Sequence, residues 1–555
     1  MKHLFVLLFP ILSIAIACTR HDTAKNEAAN DLPSLLLTLP PGQYESILKD
    51  KKPKVGACAL LHSADNDTMY DGDLAYVKTR GNQTWEVEKK AYTIELPVKT
   101  RLLGLYKSRT FVLLANALDE SHIRNAVSFD LARLMSLPTP AYAFLKLYVN
   151  GEYKGLYQMT NKVKIERHTL NITDLGKSNK QANPRRLEDY EAFEHIGNLS
   201  TVCRGFRLEN DPADITGGYL LEYGNGNESA FVSNAGDVVG IRSPKYASVK
   251  QVRYISDLYN QFESALLAKD GTNPHTGSHY SEYIDTESFA RYYLLNEIVL
   301  NHDGGMHSFY MYKDSDSINP KLYAGPAWDF DKSLASPYWE NDVLVHNEIF
   351  IGAPFGKDTR HHTRGILFHL MQHEDFQNLV NELYINNIYK LCKDYLDSGR
   401  IDSLSRALEQ EAEKDNLLWG RRKSNTYHDA VAMVKDFLGD RIEFLSWYYA
   451  TPEEKKVPVS YKTSHSYGMY FHREINMYYP LDTPIYPPAS LWPYFFIYNN
   501  TPVAELYYEG TDSIVKPGTV FRSPKKLELR ARKPTWKEVQ ARRVKKKLSK
   551  LANLF

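Results

Sequence analysis

A chain of 555 residues is too long for one compact core, so two domains or a large bilobal one with an accessory module are expected. Hydrophobic residues at 43% and charged residues at 24% are ordinary for a globular protein, which excludes a disordered or fibrous chain. The net charge of +1 gives no basis for a nucleic-acid partner, and none is expected. Tyrosines outnumber phenylalanines, 39 to 23. Tyrosine suits polymer-binding or protein-binding surfaces and equally suits strand-rich cores.

In chain order, Lys2 and His3 precede an apolar run from Leu4 to Ala17, broken only by Pro10 and Ser13, that ends at Cys18. This is the pattern of an export signal, too short to span a bilayer permanently. Ala15-Ile16-Ala17-Cys18 resembles the lipobox of bacterial lipoproteins, in which the cysteine thiol is acylated and becomes the new N-terminus. Two or three acyl chains there give a stable membrane anchor. Residues 1–18 are therefore read as a lipoprotein signal peptide and 19–39 as a polar tether, in a protein of the bacterial cell envelope, periplasmic or on the surface. No later apolar run is long and charge-free enough to span. Cys58, Cys203 and Cys392 show neither metal-binding spacing nor a disulfide framework, and free thiols are expected.

From Pro40 to Lys164 strands dominate: Gly56–Leu61, Tyr92–Leu96 and Phe111–Leu114. Ile123, Val127, Leu131 and Leu134 share one face of a helix between Ser121 and Met135, with Ser121 or Asp119 as cap. Asn150-Gly151 joins Phe144–Val149 to Tyr153–Met159 in a hairpin whose turn needs left-handed residues. Residues from Arg167 to Thr216 are polar and irregular, the look of an insertion or mobile loop. Gly217 to Glu222 returns to a strand; Val249–Ala268, Thr286–Leu300 and much of Ile366–Tyr449 are helical. Past Tyr449 a stretch rich in Tyr, Pro and Thr suggests a small β-sandwich. The tail from Arg532 to Lys550 is strongly basic.

The stretch most specific for chemistry runs from Phe289 to Asp331. A helix gives way to Asn301-His302-Asp303-Gly304-Gly305, where two glycines put Asp303 on a loop. The hairpin Ser308–Ala324 follows, then Gly325-Pro326-Ala327-Trp328-Asp329-Phe330-Asp331. Helix, acidic loop, hairpin and second acidic group is the order in the catalytic lobe of protein kinases. There one Asp orients the acceptor hydroxyl and the other holds Mg²⁺ on the phosphates. Gly224-Asn225-Gly226 lacks the spacing of a phosphate loop.

Further blocks make a family nameable. Arg80-Gly81-Asn82-Gln83-Thr84-Trp85 looks like the RGNSTW signature of the spore coat protein H (CotH) kinase family, and Lys89-Lys90-Ala91-Tyr92 like its lysine strand. Asn150 to Tyr157, Gly217 to Glu222, Asn296-Glu297 and Gly325 to Asp331 resemble its hairpin, its GGYLLE strand and its catalytic block, in the family's order. The resemblance implies an α+β fold with a divergent protein-kinase-like bilobal core over 40–450, its C-terminal part helical. A small accessory β domain at 455–530 and the basic tail at 531–555 follow. It also implies ATP with Mg²⁺ or Mn²⁺ as cofactor, and transfer of the γ-phosphoryl group to a hydroxyl of an envelope or secreted protein.

Carried over by position, Asp303 is the catalytic aspartate, and Asp329, with Asp331 and Ser308, holds the metal. Lys89 or Lys90 contacts the phosphates; alternation along the strand does not choose between them. Arg80, Gly81 and Asn82 form a turn near the nucleotide, and Glu222 is a candidate ion-pair partner for the lysine. Two positions depart from the family pattern: Ser308 stands where active members have Asn, and Asn161 where they have Glu. The alternative to an enzyme is a non-catalytic envelope scaffold or adhesion protein on the same fold, with the β domain binding protein or glycan.

Overall fold

The computed structural model describes residues 32–196, 202–301, 303–336, 346–349, 351, 365–421, 426–463, 474–485, 503–516 and 518–532. The export signal with Cys18, the polar tether up to Asp31 and the basic tail past Arg532 lie outside these residues.

Seven strands close into a barrel. They are β1 (Ser34–Thr38), β2 (Val55–His62), β3 (Thr68–Arg80), β4 (Ala91–Thr100), β5 (Ser108–Leu114), β6 (Tyr142–Val149) and β7 (Glu152–Asn161), in the order β1-β2-β3-β4-β5-β7-β6. Parallel pairing of β1 with β6 completes the circle. Closure leaves no unpaired edge, and alternate residues such as Leu35, Leu37, Val77, Ile94, Phe111 and Leu147 fill the interior. The folded part thus begins before residue 40: β1 lies in the segment whose composition suggested a tether. Its Leu35-Leu36-Leu37 run is short enough to pass for linker, yet two of the three leucines are buried. The turn between β6 and β7 is as expected, with Asn150 and Gly151 both left-handed (φ 50° and 83°).

A second sheet stands beside the barrel. It comprises β8 (Ala192–Ile196), β9 (Val202–Phe206), β10 (Tyr219–Tyr223), β11 (Ser229–Val232), β12 (Val238–Ser243), β13 (Tyr310–Lys313) and β14 (Leu322–Ala324), in the order β14-β13-β10-β12-β11-β9-β8. The stretch expected to be an irregular insertion supplies two of these strands, β8 and β9, and the helix Leu175–Ala182. Their polarity is that of a sheet margin, where the exposed Arg204–Glu194 pair faces water. The helices Val249–Leu267 and Thr286–Ile298 pack with this sheet, and Arg400–Leu418 and Tyr427–Ala450 complete a second, larger core. The fold is α+β.

Two buried ionic knots tie the C-terminal helices to the rest. In the first, Asp415 on the helix Arg400–Leu418 pairs with Lys89 at 2.6 Å, 3.6 Å from His122 and 3.5 Å from Arg421. It also accepts the Leu156 amide at 2.8 Å. Gly155 on β7 makes this approach feasible: a Cβ there would lie 2.0 Å from the Asp415 carboxylate. In the second, fully buried Arg441 pairs with Glu297 and donates to the Glu297 carbonyl at 2.9 Å and the His346 carbonyl at 2.7 Å.

Past the last helix come β15 (Lys456–Thr463), β16 (Glu474–Pro480), β17 (Pro484–Ile485), β18 (Val503–Tyr508), β19 (Thr519–Val520) and β20 (Lys525–Arg532). Among the described residues they form a four-stranded sheet, β16-β15-β20-β18, and the pair β17-β19. No helix of the described residues is long and apolar enough to cross a membrane. Among the described residues Cys203 and Cys392 are free thiols, as expected.

Candidate active site

The Asp303 loop is built by amides and glycines. Past Ile298 the chain turns through Leu300, left-handed at φ 46°, and Asn301 donates to the Asn296 side chain at 3.0 Å. Asn301 in turn accepts the Asp303 amide at 3.2 Å, while the Asp303 carbonyl accepts the amides of Met306 and His307. Gly304 has no room for a Cβ, which would meet Ile351 at 2.8 Å and the Asn301 carbonyl at 2.9 Å. Asp303 is therefore held on a tight loop, and Lys332 pairs with it at 3.0 Å.

Asp329 arrives from the other side of the β13–β14 hairpin. The barrel places it: the Phe330 amide donates to Asn125 at 2.9 Å, Asn125 donates to Asn116 and Asn116 to Gln158, each at 3.1 Å. Asp329 is left-handed at φ 71°, and Ser308, at φ 51°, donates to its carboxylate at 2.7 Å. Leu300, Leu334 and Ala335 share the left-handed region. Such conformations cost about 1–3 kcal/mol each and gather where function requires them.

The charges of Asp303, Asp329 and Asp331 act on one another. Burial raises the pKa of Asp329; the Ser308 hydroxyl opposes the rise and Asp303 adds to it. Burial lifts Asp331 well above the usual carboxylate range, and Asp329 and Asp303 reinforce the shift. Arg80 has its guanidinium 5.4 Å from the Trp328 ring, one residue before Asp329. Burial lowers its pKa, while Asp329 and Glu222 work to keep it charged.

The remaining expected residues divide. Gly81 and Asn82 do form a turn: Gly81 sits at φ 125°, where a Cβ would come within 2.9 Å of the Trp85 amide, and that amide donates to Asn82 at 3.1 Å. Lys90 does not reach the acids; its ammonium bonds the Trp85 carbonyl and lies 4.6 Å from the Trp85 ring. Lys89 is corrected more strongly. It is 2% exposed, bonded to Asp415 and to the carbonyls of Ala115 at 2.8 Å and Leu156 at 2.6 Å. A buried ammonium with these partners is a structural staple, because withdrawing it strands a buried carboxylate. Glu222 pairs with Arg242, not with a lysine. Asn161, which departs from the family pattern, is a clamp: it accepts the Tyr106 amide at 3.1 Å and donates to the Tyr106 carbonyl at 2.9 Å.

A hard divalent cation suits this donor set. Asp329 and Asp331 offer two carboxylates whose mutual repulsion a cation relieves, and Ser308 adds a hydroxyl beside them. Among the described residues no three His, Cys, Asp or Glu side chains gather into a metal cage. Mg²⁺ needs none where phosphate oxygens and waters fill its other positions. Sequence reasoning missed Lys332, Asn125 and Arg242. Lys332 follows Asp331 directly and carried the only local signal; the others act across gaps of 205 and 20 residues.

No curated protein matches the chain. The family model described as CotH kinase protein matches residues 77–445, from within β3 to the last long helix, more than half of the sequence. That span holds every acid and base of the cleft, and by it the chain belongs to the CotH kinase protein family.

Proposed function

We propose that this protein transfers the γ-phosphoryl group of ATP, taken as its Mg²⁺ or Mn²⁺ complex, to a hydroxyl of a protein acceptor in the bacterial cell envelope. One observation supports the reading: Asp303 and Asp329, 26 positions apart in sequence, act on each other's charge, Arg80 and Lys332 act on Asp329, and Lys332 pairs with Asp303 at 3.0 Å. Membership of a kinase family supports a kinase-like function, and ATP with a divalent metal in general terms. On this reading the barrel and the second sheet with its helices are the two lobes of a kinase-like core.

Each residue then has a role its surroundings favour. Asp303 accepts a hydrogen bond from the acceptor hydroxyl and takes its proton as transfer proceeds, and Lys332 fixes the carboxylate's orientation. Asp329 and Asp331 hold the cation, and Arg80 binds phosphate oxygens from the opposite wall. The cation, when bound, neutralises charge on the transferred group. Acylation of Cys18 would place this chemistry at a membrane surface.

Two substitutions separate binding from transfer. Asp329→Asn should abolish metal-dependent stabilisation by ATP, because an amide lacks the charge that holds the cation. Asp303→Asn should keep that stabilisation and lose transfer. Saturation at 100 times the dissociation constant stabilises a fold by about 2.7 kcal/mol, well within reach of a thermal-shift assay. A wild-type protein that shows no shift with ATP and either metal would end this reading.

A further inference from the structure

A short extended strap, residues 346–349 and 351, lies between the accessory sheet and the Asp303 loop, and it is gripped along both edges. Carbonyls alternate in direction along an extended chain. Those of His346 and Glu348 both accept from Arg441, the first at 2.7 Å. The carbonyl of Asn347, between them, accepts the Tyr478 amide of β16 at 3.1 Å, and the Asn347 side chain donates back to the Tyr478 carbonyl at 3.4 Å. Glu348 and Met477 face each other as an antiparallel pair. The strap thus adds itself to the outer edge of β16, whose other edge pairs with β15. Asn347, Glu348, Ile349 and Ile351 are all buried.

From the strap the contacts run to the Asp303 loop. The Ile351 amide donates to one oxygen of the Glu297 carboxylate at 2.8 Å, and the other oxygen pairs with Arg441. Arg441 also donates to the Glu297 carbonyl at 2.9 Å, which accepts the Leu300 amide at 3.2 Å where the helix ends. The Ile351 side chain occupies the space that a Cβ would need on Gly304, the residue after Asp303. The strap therefore bears on the loop from both sides, through Glu297 ahead of it and Gly304 within it. Arg441 and Glu297 are fully buried, so a strap that slides strands their charges unless the loop moves with it. The family match ends at residue 445, before β15 and β16, so this hold on the loop comes from outside the matched span.

We propose that the accessory sheet is a working part of the transfer site rather than a separate binding module: β16, acting through Tyr478, the strap and Glu297, sets the position of Asp303. Tyr478, Arg441 and Glu297 are positioning residues, not catalytic ones. That Asp303 serves phosphoryl transfer rests on the kinase reading above; the mechanical link does not.

Tyr478→Pro removes the amide that holds the strap, at an edge position where proline spares the pairing with β15. The full chain as wild type, Tyr478→Pro and Tyr478→Ala, which keeps the amide, would be compared by hydrogen exchange and by transfer kinetics. In Tyr478→Pro the Ile351 amide and the amides of residues 299–307 should exchange about tenfold faster. Its kcat should fall about tenfold, with the KM for MgATP and the Mg²⁺ requirement unchanged. Tyr478→Ala should lose far less of either. If Tyr478→Pro does not fold, Asn347→Ala, which removes only the donation to the Tyr478 carbonyl, should show the same split between kcat and KM in milder form. A wild type that transfers no phosphate would end the kinase reading, and faster exchange at the Asp303 loop of Tyr478→Pro would still uphold the link. Faster exchange confined to the strap and β16, with the Asp303 loop and kcat at wild-type values, would overturn the proposal, as would an equal fall in Tyr478→Ala.

Discussion

Ser308 donates its hydroxyl hydrogen to Asp329, and that direction matters. The donation steadies the anion and leaves the hydroxyl oxygen its lone pairs, but a hydroxyl is a poorer ligand for a hard cation than an asparagine carbonyl. The backbone favours the same exchange, since φ 51° at residue 308 suits Asn better than Ser. Ser308→Asn should therefore lower the Mg²⁺ concentration for half-maximal ATP-dependent stabilisation severalfold, with the metal-free melting temperature unchanged or slightly higher. A titration in which the variant needs more Mg²⁺ would show that Ser308 is itself the better ligand. At this scale local pattern was legible in the glycine-shaped loop that carries Asp303 and in the Gly81 turn. It was not legible at Lys89 and Lys90, because a strand pattern says which face a lysine takes and nothing about what waits there. The partner of Lys89 is Asp415, 326 positions later, on a helix whose sequence shows only that it is a helix.

At the scale of elements, the knot around Asp415 links β7, the turn before the helix Arg124–Leu134 and the helix Arg400–Leu418. His122 lies within it, fully buried, facing Asp415, Asp119, Lys89 and Arg421. Burial is the largest influence and lowers its pKa from the ordinary 6.5 to about 4. The unfolded chain thus binds this proton near pH 6.5 and the folded chain only near pH 4, so the unfolded state carries more protons between them. The His122 contribution should lower stability as the pH drops through that window, by about 1.4 kcal/mol per unit at most, and add no further loss below pH 4. His122→Asn removes the titrating group while tolerating the left-handed φ of 59°. Melting curves at pH 7 and pH 5 should show a smaller acid loss in the variant than in the wild type, even if its stability at pH 7 is lower. Equal losses would place the acid sensitivity elsewhere. The hairpins, the long helices and the β10 strand follow directly from local pattern. The helix Leu175–Ala182 and the strands β8 and β9 do not, since margin strands take their order from a neighbour and keep a polar composition.

Across the whole molecule, the family match and the fold divide the chain unequally. The match starts at residue 77, yet the barrel needs β1 and β2 to close, and β1 ends only 20 residues after Cys18. Sequence reasoning set the folded part to begin at 40, whereas Ser34–Thr38 is a barrel strand whose role depends on pairing with β2 and β6. The linker between an acylated Cys18 and the first barrel strand is correspondingly short, about 15 residues, or roughly 50 Å at full extension. An anchored barrel would work close to the membrane surface, on acceptors at the same surface. Acylation at Cys18 is testable without reference to catalysis. Cys18→Ala should move the protein from the membrane fraction to the soluble fraction and remove the acyl mass from its N-terminal peptide, while the melting temperature of the folded part stays the same. One acyl chain gives only reversible attachment and two give a stable anchor, so the partition should be nearly complete in each direction. Native protein that carries no acyl mass and stays with the membrane as Cys18→Ala would refute the anchor and leave some other feature to hold it there.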